Sequence, residues 1–164
     1  MRQVNGYNDF LIGVPYADYD GIDNGGQTYL IFGKSSGWIM DNSLGDADAS
    51  FISNHNSDIL GISVSGAGDV NNDGWDDLTF ATEEGTEIYF LKNNDGNFSS
   101  ITLNGISNTF KTKQVIWIDY DNDGDSDLFI AKCGTGPINQ LFRNNGNLTF
   151  TEVSVEANMD DNIQ

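Results

Sequence analysis

Two short acidic segments of this chain have the residue types and spacing of a cation-binding loop. One runs from Asp69 to Asp77 and the other from Asp119 to Asp127, and each has an Asp-Gly pair at its fifth and sixth positions. In such a loop the side chains at positions one, three and five converge on one point, and the glycine permits a sharp turn. A backbone carbonyl at position seven and a carboxylate at position nine then complete a set of oxygen ligands suited to calcium.

The sequence therefore predicts two calcium ions, one in each loop. The expected ligands are Asp69, Asn71, Asp73, the carbonyl of Trp75 and Asp77 in the first loop, and Asp119, Asp121, Asp123, the carbonyl of Asp125 and Asp127 in the second. The alternative is an acidic turn that binds nothing, but packing several carboxylates together without a cation costs repulsion. An EF-hand is excluded, because position twelve is Phe80 or Ile130 rather than glutamate.

The charge of the whole chain agrees with a preference for cations. Among 164 residues, 25 are acidic and 7 are basic, which gives a formal charge of -18. Such a surface repels nucleic acid, so that partner is excluded. No apolar stretch of about 20 residues is present, so no membrane span is predicted. The first residues, Met1 to Gly6, lack the apolar core of a signal peptide, so we expect a removed signal or a piece of a longer chain.

The elements that must position these loops are short strands. No window keeps a helical period, and apolar runs alternate with Gly, Asn and Asp clusters. The predicted strands are Phe10–Pro15, Thr28–Phe32, Ile59–Ser65, Leu78–Thr82, Glu87–Leu91, Phe98–Leu103, Gln114–Ile118, Leu128–Lys132, Gln140–Arg143 and Leu148–Val155. This pattern is typical of an all-β sandwich, barrel or propeller.

Internal repetition favours the propeller. The two loops align at an offset of about 50 residues, and Lys92-Asn93-Asn94 repeats as Arg143-Asn144-Asn145. Each unit thus consists of four antiparallel strands, which is typical of a propeller blade. Asn5 to Phe10 matches the second half of a third loop. We therefore predict a partial propeller of about three blades, with an incomplete blade over residues 1–56, complete blades over 57–107 and 108–158, and a tail over 159–164.

These motifs resemble a known repeat family. The two loops, with Gly13-Val14-Pro15 and Phe32-Gly33, are similar to FG-GAP repeats of integrin α-chain propellers, and the stretch from Asn139 to Gly146 is similar to the related VCBS and ASPIC-type repeats. The resemblance implies four-stranded blades, calcium in the loop between the first two strands, and an extracellular or cell-surface setting. In the first unit Met1, Gln3 and Asn5 depart from the ligand pattern.

Two functions remain open at this level. The first is a calcium-stabilised binding or adhesion module for a protein or glycan ligand, completed by self-association or by the remaining blades of a longer chain. The alternative is the propeller part of an extracellular enzyme, such as a polysaccharide lyase or a phospholipase. The sequence favours a protein that is not an enzyme, because no serine or cysteine with an orienting partner is recognisable for the single histidine, His55.

Two further groups of residues are weaker candidates. Asp18, Asp20 and Asp23 lie in a loop rich in Gly and Asn, and they predict either a solvated loop or a further cation site. Of the tryptophans that could contact a sugar, Trp117 lies in an apolar strand and is expected in the core, whereas Trp75 is expected near the surface.

Overall fold

The structure is a computed structural model that describes residues 7–38, 43–83, 88–108, 111–133 and 139–159. The remnant of the third loop therefore lies partly outside the described residues, as do the start of the strand predicted at Glu87 and all but the first residue of the tail. The described residues form eleven strands, β1 (Phe10–Val14), β2 (Gln27–Ile31), β3 (Ala49–Ile52), β4 (Ser63–Gly68), β5 (Asp77–Ala81), β6 (Ile88–Asn94), β7 (Asn97–Ile101), β8 (Thr112–Ile118), β9 (Asp127–Lys132), β10 (Gln140–Asn144) and β11 (Phe150–Glu152). A single 3₁₀ turn, Leu44–Asp46, precedes β3.

The strands form three open antiparallel sheets. Sheet 1 has the order β1-β2-β3, sheet 2 the order β4-β5-β6-β7, and sheet 3 the order β8-β9-β10-β11. Strands that follow each other in the chain are neighbours in each sheet and pair antiparallel. The all-β prediction and the four-stranded composition of the second and third units are confirmed.

The structure departs from the predicted strands at three places. Strand β3 was missed, because the surrounding Asp and Ser residues indicate a loop. Phe51 nevertheless packs against Phe80, with ring centroids 4.7 Å apart, and the segment pairs with β2 in sheet 1. The strand expected at Ile59–Ser65 lies at Ser63–Gly68, since Ile59 and Gly61 have positive φ values of 56° and 89°. Such values suit a turn and interrupt a strand.

The last predicted strand, Leu148–Val155, was too long at both ends. It begins at Phe150 because Asn147 and Leu148 adopt positive φ values of 48° and 61°. It ends at Glu152 because the chain then turns, with the N–H of Ala157 donating to the carbonyl of Val153 at 2.9 Å. The other predicted strands agree with the structure to within about three residues at each end.

Sheet 2 lies between the other two sheets and is covered on both faces. Every residue of β5 is buried, because side chains alternate between two faces that each pack against another sheet. Leu78 and Phe80 join Leu30 in the core shared with sheet 1. Ala81 belongs to the core shared with sheet 3. Burying a large apolar side chain in this way stabilises the fold by roughly 1.5–3 kcal/mol.

The contacts between sheets are made chiefly by their first strands. β4 packs against β1 and β8, and the hydroxyl of Ser63 accepts a hydrogen bond from the N–H of Val115 at 3.0 Å. At the junction with sheet 1, a Cβ on Gly13 would lie 2.1 Å from the carbonyl oxygen of Gly61, so only glycine fits. Among the residues described, no helix has the length and apolar character to cross a membrane.

Candidate metal centre

The two acidic loops occupy equivalent places in sheets 2 and 3. The first joins β4 to β5, and the second joins β8 to β9. Both have a left-handed residue at position four and another at position six, with φ values of 58° and 94° at Asn72 and Gly74, and 61° and 95° at Asn122 and Gly124. Asparagine and glycine tolerate this region best, so the same residue pattern folds into the same curled loop twice.

The carboxylate at position one curls each loop around itself. In the first loop, Asp69 accepts hydrogen bonds from the N–H groups of Asp73 at 2.9 Å and Gly74 at 2.7 Å. In the second, Asp119 accepts from Asp123 at 3.1 Å and Gly124 at 3.2 Å. These bonds form because the curled backbone turns its N–H groups inward, where an acceptor must satisfy them.

The carboxylate at position nine is the most buried member of each loop. Asp77 and Asp127 are both 0% exposed. Asp77 accepts from the N–H of Val70 at 3.2 Å and from that of Asn93 at 2.9 Å. Position nine therefore joins the start of its loop to the third strand of the same sheet.

Asp127 repeats this arrangement in sheet 3. It accepts a hydrogen bond from the N–H of Tyr120 at 3.0 Å and another from that of Asn144 at 2.8 Å. Asp127 and Asn144 lie 17 positions apart in the sequence. The chain thus builds the same link between loop and third strand in both sheets.

Two buried asparagines support these loops and were not predicted as site residues. The amide of Asn93 donates to the carbonyl of Asp76 at 3.1 Å, and that of Asn144 donates to the carbonyl of Ser126 at 3.2 Å. Each side-chain oxygen also accepts from a turn glycine, Gly96 or Gly146. The repeated Arg/Lys-Asn-Asn motif was the signal in the sequence that could have identified them.

The electrostatics of position nine favour a neighbouring positive charge. The pKa of Asp77 is raised from 3.8 to about 6, chiefly by burial and in part by the charges of Asp73 and Asp69, while backbone donors oppose the rise. Burial also raises the pKa of Asp127, with Asp121 and Asp123 contributing in the same direction. A cation held nearby would offset both effects, because it favours the charged form.

The second loop brings three carboxylates together. One oxygen from each of Asp119, Asp121 and Asp127 lies within 4.8 Å of the others. All are hard oxygen donors, which calcium prefers. Within the described part of the chain, no other group of three acidic, histidine or cysteine side chains converges in this way. Asp123, which was predicted as a carboxylate ligand, lies outside this cluster and accepts a hydrogen bond from the N–H of Asp125 at 2.9 Å.

The first loop differs in two respects. Its third position is Asn71, whose Oδ1 is buried without a hydrogen-bond partner while its amide nitrogen lies 3.2 Å from Asp77. An unpaired buried oxygen fits a cation ligand, since it otherwise costs free energy. In addition, Lys92 forms an ion pair of 3.0 Å with Asp73. Although burial opposes the change, the hydrogen bond and charge of Lys92 lower the pKa of Asp73.

The weaker candidates have other environments. Asp18 accepts a hydrogen bond from the N–H of Asn24 at 2.7 Å, which supports its own loop.

Trp75 is half-buried at position seven of the first loop. Trp117 packs in the core, 5.7 Å from Phe90, and donates to the hydroxyl of Thr79 at 2.9 Å, as the sequence predicted for its burial.

The single histidine lies beside a serine and an aspartate. Ser53 donates to Asp58 at 2.5 Å, and His55 Nδ1 lies 3.7 Å from the same carboxylate. Activation of a serine requires its hydroxyl to bond to the imidazole. Here the hydroxyl bonds to the carboxylate instead, so the arrangement is that of a hydrogen-bonded turn. The contact between Ser53 and Asp58 was missed from the sequence.

Comparison with known families agrees with this geometry. Residues 69–130 match the family model described as FG-GAP-like repeat. The matched segment begins at the first residue of the first loop and extends beyond the second loop into β9. No protein with a curated description matches the chain.

Proposed function

Because residues 69–130 match the FG-GAP-like repeat model, we propose that this chain is a calcium-binding module of propeller type. We further propose that it serves binding or adhesion outside the cell or at its surface. The observation that carries the proposal is the convergence of Asp119, Asp121 and Asp127. The family match adds weight, since it spans both acidic loops.

The propeller arrangement is part of the same proposal. It is supported by the repeated four-stranded sheets and by the contacts of β4 with β1 and β8, which bring the first strands of neighbouring sheets together. Propellers close with about four to eight blades. Closure around an axis would therefore take more sheets than the three described.

Bound calcium would supply positive charge at the point where the oxygen atoms of each loop converge. The contacts of Asp127 and Asp119 show which parts of the second loop that charge would stabilise. Asp127 holds the end of the loop against β10 through Asn144, and Asp119 holds its curled middle. Binding to the folded form alone raises stability, by about 2.7 kcal/mol at a concentration of 100 times the Kd.

We further propose a binding role rather than catalysis, with a protein or glycan as partner. The bond from the Ser53 hydroxyl to Asp58, instead of to His55, supports this choice. The alternative is a propeller within a polysaccharide lyase or phospholipase, and two assays distinguish it from a binding module. A glycan array that retains the chain supports binding, whereas turnover in a polysaccharide or phospholipid cleavage assay would favour the enzyme.

Calorimetric titration with calcium tests the metal site. Asp121→Asn removes a converging carboxylate and is expected to weaken binding at the second loop by about tenfold or more. Asp125→Asn is the matched control, because position seven is expected to contribute only its carbonyl, and it changes the net charge equally. Equal affinities for the two variants would contradict the assignment.

Thermal unfolding gives an independent test. A chelator is expected to lower the Tm by roughly 5–10 °C, and added calcium is expected to restore it. Magnesium at the same concentration is the control for general screening of charge. A melting curve that does not respond to the chelator would rule out structural calcium.

A further inference from the structure

The two acidic loops differ in the groups that surround their carboxylates. In the second loop, one oxygen from each of Asp119, Asp121 and Asp127 lies within 4.8 Å of the others. In the part of the chain that the structure describes, no lysine or arginine forms an ion pair with any of these three carboxylates. Because like charges held this close repel each other, the second loop needs a positive charge from outside the chain.

The first loop has a hydrogen-bond donor where the second has its middle carboxylate. Its equivalent positions are Asp69, Asn71 and Asp77. The Nδ2 of Asn71 lies 3.2 Å from one carboxylate oxygen of Asp77 and 3.5 Å from the other. A bond from an amide to a carboxylate is strengthened by the charge, so Asp77 is partly satisfied without a metal.

The orientation of this amide has two favourable states. In the structure the buried Oδ1 of Asn71 points away from Asp77 and has no hydrogen-bond partner. Turning the amide over would place Oδ1 against the carboxylate of Asp77, which is favourable only with a cation between the two oxygens. Asn71 can therefore act as a donor to Asp77 without calcium and as an oxygen ligand with it.

A lysine supplies positive charge to the same loop. Lys92, from β6, forms an ion pair of 3.0 Å with Asp73, the ligand expected at position five. The equivalent residues of the second unit are Arg143 and Asp123. Among the residues that the structure describes, these two form no ion pair. Only the first loop therefore has a charge of the chain itself in contact with an expected calcium ligand.

On the basis of the calcium sites proposed above, we propose that Asn71 and Lys92 replace the metal in the first loop. Sheet 2 then keeps its loop without calcium, whereas sheet 3 requires calcium. Calcium fills the second loop first. It enters the first loop only when Lys92 leaves Asp73 and the amide of Asn71 turns over. The second loop is expected to bind at least about tenfold more tightly, because it has one more carboxylate and no contacts to break.

Hydrogen exchange of the wild-type chain tests this order. The two loops use equivalent backbone N–H groups, which are those of Val70, Gly74 and Asn93 in the first set and those of Tyr120, Gly124 and Asn144 in the second. Removal of calcium by a chelator is expected to speed exchange of the second set at least about tenfold and of the first set less than about threefold. Added calcium should protect the second set at the lower concentration.

The possible results of this measurement separate the two proposals. A first set that loses protection as strongly as the second, or regains it at the same calcium concentration, would overturn the proposed order while leaving calcium binding in place. A second set that responds to calcium at no concentration would overturn the order together with the proposed function.

Exchanging side chains between the loops gives a second test. Asn71→Asp combined with Lys92→Met gives the first loop the carboxylates of the second and removes its lysine. In this double variant, the chelator is expected to speed exchange of the first set at least about tenfold, and the affinities of the two loops should agree to within about threefold. Circular dichroism in calcium confirms folding. A first set that stays independent of calcium would overturn the proposal.

A charge-matched variant controls for the added acid. Asn94→Asp adds the same charge as Asn71→Asp, but at an exposed end of β6. As single variants, Asn71→Asp is expected to make the first set sensitive to the chelator, and Asn94→Asp is expected to leave it as in wild type. Equal sensitivity of the two variants would show that net charge, rather than the donor at position three, determines the response, and it would overturn the role given to Asn71.

Discussion

The buried carboxylate of Asp127 accepts a hydrogen bond of 2.8 Å from the backbone N–H of Asn144. This contact joins the last residue of the second acidic loop to the third strand of sheet 3. The same contact recurs between Asp77 and Asn93 at 2.9 Å in sheet 2. The loops are therefore anchored to the sheets at the residues that were predicted as their last ligands.

The asparagine side chain that completes this link should matter for stability. Asn144→Ala is expected to lower the free energy of unfolding by about 1–3 kcal/mol, because the carbonyl of Ser126 and the N–H of Gly146 lose their partners. Denaturant unfolding measures the change. Asn94→Ala, at an exposed strand end, is the control and should change stability by less than about 0.5 kcal/mol.

Lys92 should affect the first loop in two opposite ways. Lys92→Met removes the ion pair with Asp73, and without calcium it is expected to lower stability by no more than about 1 kcal/mol. With calcium it is expected to raise the affinity of the first loop about three- to tenfold, because a competing positive charge is gone. Titration in an Asp121→Asn background isolates that loop. An affinity that falls would show that Lys92 supports the site.

Lys132 should make stability depend on pH in the alkaline range. Burial lowers the pKa of Lys132 from 10.5 to about 8, partly opposed by Glu152, and its Nζ is buried without a hydrogen-bond partner. The folded state therefore disfavours the charged form. The cost is fully present below pH 8, and it declines as pH rises toward the unfolded pKa of 10.5.

Lys132→Met tests that cost. The variant is expected to be more stable than wild type by about 1 kcal/mol at pH 7, a value kept low because the side chain is partly exposed. The difference should shrink as pH is raised through the alkaline window. A variant less stable than wild type at pH 7 would contradict the burial cost.

Trp117 should contribute strongly to the contact between sheets 2 and 3. Trp117→Phe is expected to cost about 2–3 kcal/mol, because it removes the bond to Thr79 and leaves a cavity beside Phe90. Trp38→Phe is the control, since Trp38 is 47% exposed. Chemical unfolding followed by circular dichroism measures the free energy of unfolding of both variants. Equal losses would contradict a larger contribution from the buried Trp117.

The local features of this protein were determined by its sequence. The strands, the curled loops and the core position of Trp117 depend on side-chain alternation, on Asn and Gly at left-handed positions, and on apolar runs. These properties act between residues close in the chain. The repeat of about 50 residues also shows directly in the sequence, because equivalent sheets need equivalent residues.

Only the tertiary structure decided which distant groups meet. The bonds of Asp77 and Asp127 to Asn93 and Asn144 span 16 and 17 residues, and the raised pKa of Asp77 results from burial between sheets. Strand β3 is likewise held by the contact of Phe51 with Phe80. Such effects depend on packing, so a loop that resembles a cation site in sequence acquires its electrostatics, its anchor and its competing lysine only in the folded chain.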